Sequence, residues 1–140
     1  MTFDNIHNDT HCQCLDNTAE NLVEVFARKI KKSEPSDGDF SSHWERGILG
    51  NSAECKEICL RKSLSINKYD ASTESQIIEK YKTTFNISPA MKAYYCKFRF
   101  KLDAGLIKST PNNNDKSHCS FFKCDAFTID RIDVVDIQRL

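Results

Sequence analysis

The sequence predicts an α+β domain in which N-terminal helices pack on a small C-terminal antiparallel sheet. Two periodicities divide the chain. Up to Phe85 the apolar residues recur at three- and four-residue spacing, the period of one helix face. From Tyr94 onward they alternate with polar ones, the period of a strand with one face in the core. Asn17 with Glu20, Asn51 with Glu54 and Thr73 with Gln76 add three polar pairs spaced like capping boxes, each ahead of an apolar run.

Residues 1–16 read as a polar, flexible leader to a single domain spanning 1–140. The first helix is expected from Thr18 to Lys32, with Leu22, Val23, Phe26 and Ile30 on its buried face and cations at its C-terminal end. Ser33 to Asp39, holding Pro35 and Gly38, breaks it. Phe40 to Leu49, around the only Trp, predicts a short helix closed by Gly47 or Gly50. Another helix is expected from Asn51 to Lys62, with Cys55, Ile58 and Cys59 on one face, and a short strand over Leu64–Tyr69. A further helix runs from Thr73 to Phe85 on the stripe Ile77, Ile78, Tyr81 and Phe85.

The alternation is cleanest from Tyr94 to Leu102. Tyr94, Cys96, Phe98, Phe100 and Leu102 make the apolar face, and Tyr95, Lys97, Arg99 and Lys101 the opposite, solvent face. Strands over Ala104–Lys108, His118–Cys124 and Phe127–Ile137 complete the expected sheet, the last bent at Asp130–Arg131.

Lys plus Arg equals Asp plus Glu at 20 each, so no overall field marks a nucleic-acid or membrane binder. The balance is local, however. Residues 1–20 hold four acids and no Lys or Arg, while 91–124 hold seven cations against Asp103 and Asp115. An anionic partner belongs at the strand end. No signal-peptide pattern and no membrane-length apolar run is visible, which predicts a cytoplasmic protein without membrane contact. In that compartment the seven cysteines are expected as thiols or ligands ahead of disulfides.

Four groups of residues could carry chemistry. Cys12 and Cys14, with Cys55 and Cys59, are two tight pairs that could hold a structural zinc, with His11 or His43 as substitute ligands. Buried thiols without any cofactor are the expected alternative, because C-x-C and C-x3-C are not the usual zinc knuckles. Tyr95, Lys97, Arg99 and Lys101 could bind a protein or a nucleic acid through a basic strand face. His43, Glu45 and Arg46 crowd around Trp44 and are the candidate catalytic segment. His118–Cys119 and His11–Cys12 are neighbours that face apart in a strand, so neither pair makes a local nucleophile–base dyad.

Phosphate loops, dinucleotide fingerprints, H-E-x-x-H and G-x-S-x-G are all absent, and the chain has only four Gly. The sequence therefore points to a binding module contacting a protein or nucleic acid through its basic strand face. The alternative is a small enzyme with scattered catalytic residues, a nucleotide-using transferase with an ADP-ribosyl-like cleft.

Overall fold

A computed structural model describes all residues, 1–140. Six strands form one sheet: β1 (Phe26–Ile30), β2 (Leu64–Lys68), β3 (Tyr94–Phe100), β4 (Gly105–Ser109), β5 (His118–Lys123) and β6 (Ile132–Arg139). They lie in the order β4-β5-β2-β1-β3-β6, and every neighbouring pair is antiparallel. Three helices accompany them: α1 (Asp4–His7), α2 (Cys55–Lys62) and α3 (Glu74–Thr84). No helix is long and apolar enough to cross a membrane.

This corrects the expected architecture of N-terminal helices packed on a C-terminal sheet. The sheet dominates, and its two central strands, β1 and β2, come from the N-terminal half. Residues 18–32 contain no helix; they are an irregular stretch followed by β1. The reason lies in the spacing. Phe26 and Ile30 are four apart, which places them on one face of a helix and equally on one face of a strand. Leu22 and Val23, which a helix would have buried, are 42% and 81% exposed. Asn17 adopts a left-handed φ of 60° rather than a capping geometry. The Asn21 side chain instead accepts hydrogen bonds from the Val23 and Glu24 amides and turns the chain into β1.

The helix expected over 40–49 is likewise absent. A 3-10 turn at Asp37–Phe40 leads into a turn around Trp44, and Gly47 sits at φ 79°. The helices expected around Cys55–Lys62 and Glu74–Thr84 are present, as are strands at 64–68, 94–100, 105–109 and 118–123. The last strand starts at Ile132, after a 3-10 turn at Ile129–Arg131.

Both faces of the sheet are covered. One buries Phe26, Ile66, Cys96, Phe98, Phe100 and Phe121 beneath Phe40, with Phe127 and Ile129 packed alongside. These covering residues come from turns and 3-10 segments, not from helices. On the other face α3 lays Ile77 and Tyr81 over Ala27 and Tyr95. Beside it, Phe122 packs with Ile6, Cys12 and Cys14, against which Ile58 and Cys59 of α2 rest.

The leader is part of this second layer. Asp125 accepts hydrogen bonds from the Asp4 and Asn5 amides and the Thr2 hydroxyl, capping α1 from across the molecule. Lys62, only 4% exposed, donates to the Ile6 and Asn8 carbonyls at 2.7 and 2.6 Å and closes its other end. Ile6, at 1% exposed, is the anchor.

Candidate functional site

The four cysteines paired by sequence spacing do meet, as two disulfides: Cys12–Cys55 and Cys14–Cys59. Local geometry makes this a ladder. Cys55 and Cys59 stand about one turn, or about 6 Å, apart on α2, and Cys12 and Cys14, in irregular chain entering a turn, meet them rung for rung. The Cα pairs stand 5.3 and 5.2 Å apart, within ordinary disulfide reach. Cysteines oxidised in pairs present no thiolates, so this state holds no tetrathiolate centre. The only trio of metal-capable atoms within 4.8 Å of one another is His11, Cys12 and Cys55. His43 lies elsewhere, on the turn before α2. The expectation of thiols ahead of disulfides is thus corrected for four cysteines and kept for Cys96, Cys119 and Cys124, which are free and buried.

The rungs differ in surroundings. Cys14 is fully buried and Cys59 half-buried, within the cluster around Phe122. Cys55 is exposed at the first position of α2, beside the exposed His11.

The basic strand face is not one surface. Tyr95 and Lys97 are 1% and 7% exposed, because α3 covers the side of β3 that alternation assigned to water. The Lys97 ammonium sits 2.6 Å from Glu74, 3.7 Å from Asp136 and 4.4 Å from the centre of the Tyr69 ring. Burial alone would lower its pKa, but the Glu74 carboxylate and the Tyr69 hydroxyl raise it well above the ordinary lysine value. Burial, reinforced by the hydrogen bond to Glu74, pushes the Tyr95 phenol up to about 12. Arg99 and Lys101 are exposed; the first donates to the Val23 carbonyl and the second lies 3.6 Å from Asp133.

His43, Glu45 and Arg46 do not converge. Glu45 is held by Lys123 at 2.9 Å and by the Ser42 amide. Burial opposes its charge, yet the Ser42 amide and the Lys123 ammonium keep its pKa below the usual carboxylate value. Burial and three nearby arginines lower the pKa of His43, and Arg46 turns back to the Ser42 carbonyl. The segment is a one-turn brace between β5 and α2.

Sequence reasoning missed one polar relay. His118 Nδ1 lies 2.8 Å from the Thr110 hydroxyl and 3.0 Å from the Thr110 carbonyl. Nε2 lies 2.9 Å from Ser65 Oγ. Nucleophile–base pairs are oriented this way, but neither of the two best-formed depressions is lined by Ser65 or His118. The more enclosed of the two has a volume of about 200 Å³ and is lined by residues such as Glu24, Lys68 and Ile107. It is smaller than a typical small-molecule site. Ser65 and His118 stand on β2 and β5, a pairing that no local spacing encodes.

No protein-family model matches the chain, and neither a curated protein nor a solved structure is similar to it. The functional reading rests on geometry alone.

The two sheet edges contrast sharply. On β4, Ala19 and Ile107 exchange backbone hydrogen bonds, and Lys108 donates to the Cys14 carbonyl, so the segment 14–19 covers the middle of that edge. On β6 seven of the eight residues pair with β3 on one side, and none pairs with a strand on the other. Val134 and Val135 on this edge are 45% and 48% exposed. The register shifts between Lys97 and Phe98, leaving Val135 as the extra residue of a bulge.

Proposed function

We propose that the protein is a binding module that captures an extended segment of a partner protein by adding it as a strand to β6. The open β6 edge is the observation that carries this reading. A row of unpaired backbone groups beside exposed apolar side chains is a template for another strand. The charges select the occupant. Asp133 and Asp136 keep side chains 69% and 46% exposed despite their pairing with Lys101 and Lys97. They favour a segment with basic residues between apolar ones. A second copy is disfavoured: antiparallel self-pairing centred on Val134 and Val135 would set Asp133 opposite the copy's Asp136 at both ends.

Arg99 and Lys101 remain available at the rim of the same strand pair, where charge adjusts on-rate and register more than affinity. With Lys97 neutralised internally, the cations support a protein partner better than a phosphate backbone. Two disulfides favour work in an oxidising compartment rather than the cytoplasm.

Hydrogen exchange tests the reading. A ten-residue peptide alternating Val and Lys is expected to slow amide exchange across 132–139, and one alternating Val and Glu to leave it unchanged. Val134→Pro, which removes an edge amide, is expected to abolish the protection. Oligonucleotide binding that persists in Val134→Pro would overturn the assignment in favour of a nucleic-acid partner. So would failure of both peptides to protect β6.

A further inference from the structure

The two disulfides close nearly the same loop, so on the chain-entropy account the second adds less stability than the first. Their surroundings suggest a division of labour. Cys14 has no exposed surface and Cys59 packs beside it against Phe122. In the outer rung Cys12 is buried, at 3% exposed, but its partner Cys55 is open to solvent. Cys55 is also the first residue of an eight-residue helix, and His11 stands within 4.8 Å of both sulfurs of that rung.

We propose that Cys12–Cys55 is a thiol–disulfide exchange site for a low-molecular-weight monothiol, while Cys14–Cys59 is the permanent rung. The sulfur that can be reached decides the direction of attack. A thiolate approaches Cys55 Sγ, its sulfur bonds to Cys55, and the Cys12–Cys55 bond breaks with its electron pair on Cys12. The Cys12 thiolate, in reach of the His11 ring, takes a proton from solvent. Attack on Cys12 itself is blocked by the packing of Ile6 and Phe122 around it.

Two exits follow from the mixed disulfide. Cys12 can return to Cys55 and expel the monothiol, restoring the rung. Alternatively a second monothiol attacks the external sulfur, forms a small disulfide and releases Cys55 as a thiolate. The partial positive charge at the start of α2 favours that leaving group. The net change is two thiols oxidised to one disulfide and one protein disulfide reduced to two thiols. Throughout, Cys14–Cys59 holds the leader against α2, so exchange proceeds on a folded molecule. The proposal is independent of the β6 reading.

The test uses the intact, oxidised protein and reduced glutathione as the probe. Samples taken over time are quenched with N-ethylmaleimide and mapped by peptide mass. Glutathione is expected on Cys55 and maleimide on Cys12 at a rate at least ten-fold above any label on Cys14 or Cys59. Circular dichroism is expected to stay native while this occurs. Equal or faster labelling of Cys14 and Cys59 would overturn the proposal, as would glutathione carried by Cys12 in place of Cys55. A second measurement uses the Cys14→Ser/Cys59→Ser variant in the same assay. Its outer rung is expected to exchange within about three-fold of the wild-type rate, and a rate ten-fold higher would show that accessibility was not the controlling factor.

Discussion

Lys97 and Arg99 stand two residues apart on β3 and look equivalent in the sequence, yet the fold gives them opposite parts. Lys97 sits in a pocket of two carboxylates and an aromatic ring. Removing it leaves the Glu74 and Asp136 charges without their shared partner in a half-buried place. A fully buried broken pair costs about 3–5 kcal/mol, and the partial exposure of both carboxylates reduces that here. Lys97→Ala is therefore expected to lose about 2 kcal/mol in urea unfolding. Arg99→Ala, exposed and bonded only to a loop carbonyl, is expected to stay within about 0.5 kcal/mol of wild type. Equal losses at the two positions would contradict the burial of Lys97. Alternation identified the apolar side of β3, because Cys96, Phe98 and Phe100 obey the two-residue period. It misassigned the other side to water at Tyr95 and Lys97, because a lysine neutralised under a helix and one in water present the same letter.

At the scale of elements, legibility follows how local the determining contacts are. α3 is close to its expected limits and α2 ends where expected because those ends are set within one segment, but α2 starts at Cys55 rather than Asn51, the expected Asn51–Glu54 capping box not having formed. Phe26–Ile30 was misread because a four-residue spacing satisfies both periods, and only pairing with Tyr94–Phe98 and Asn67–Lys68 settles it as a strand. The leader was misread for a related reason. Its order comes from Asp125, Lys62 and two cysteines, all 43 or more residues away. The pairing of C-x-C with C-x3-C was the visible signal, and it was read as zinc ligands or buried thiols because spacing alone does not distinguish those from disulfides.

The same geometry sets the energetics of the rungs. Closing a 45-residue loop is worth about 4 kcal/mol on the chain-entropy account. Once one rung is present, the other closes only a ring of about eight residues, worth about 2.5 kcal/mol. Cys14→Ser/Cys59→Ser is thus expected to lose about 2.5 kcal/mol, and reduction of both rungs about 6.5. Since small domains are stable by about 5–15 kcal/mol, the fully reduced chain is expected to lose a large share of its stability and to melt at a much lower temperature than the oxidised one. A fully reduced protein with an unchanged urea midpoint would refute the ladder's role in holding the leader.

At the scale of the whole molecule, titration links the layers to pH. Glu24, Glu45 and Glu74 are held below the ordinary value of 4.5, and Asp70 and Asp125 below 3.8. Their partners are spread through the fold. Lys68 holds Glu24, the amides of α1 hold Asp125, and Lys97 holds Glu74 beneath α3. A carboxylate whose pKa is depressed in the fold stabilises it above the unfolded value, and that stability disappears as pH falls through the folded value. The acid limb is therefore expected to begin shallowly near pH 6.5, where the unfolded chain protonates His43 before the fold does, and to steepen below 4.5 and again below 3.8 as the carboxylates titrate. On the alkaline side the sign reverses. Burial raises Cys96 from 9.0 and Tyr95 from 10.0, each to about 12. Both groups are neutral in the fold, so their contribution is complete below pH 9 and is lost between about 9 and 12. Melting temperature measured on the oxidised protein is expected to be flattest between about pH 6.5 and 9 and to fall on both sides. Cys96→Ala is expected to delay the alkaline fall without moving the acid one, because the thiol that must ionise has gone while Glu24, Glu74 and Asp125 keep their partners. An alkaline limb unchanged in Cys96→Ala would show that the other groups raised by burial, Tyr81, Tyr95 and Cys119, govern that side.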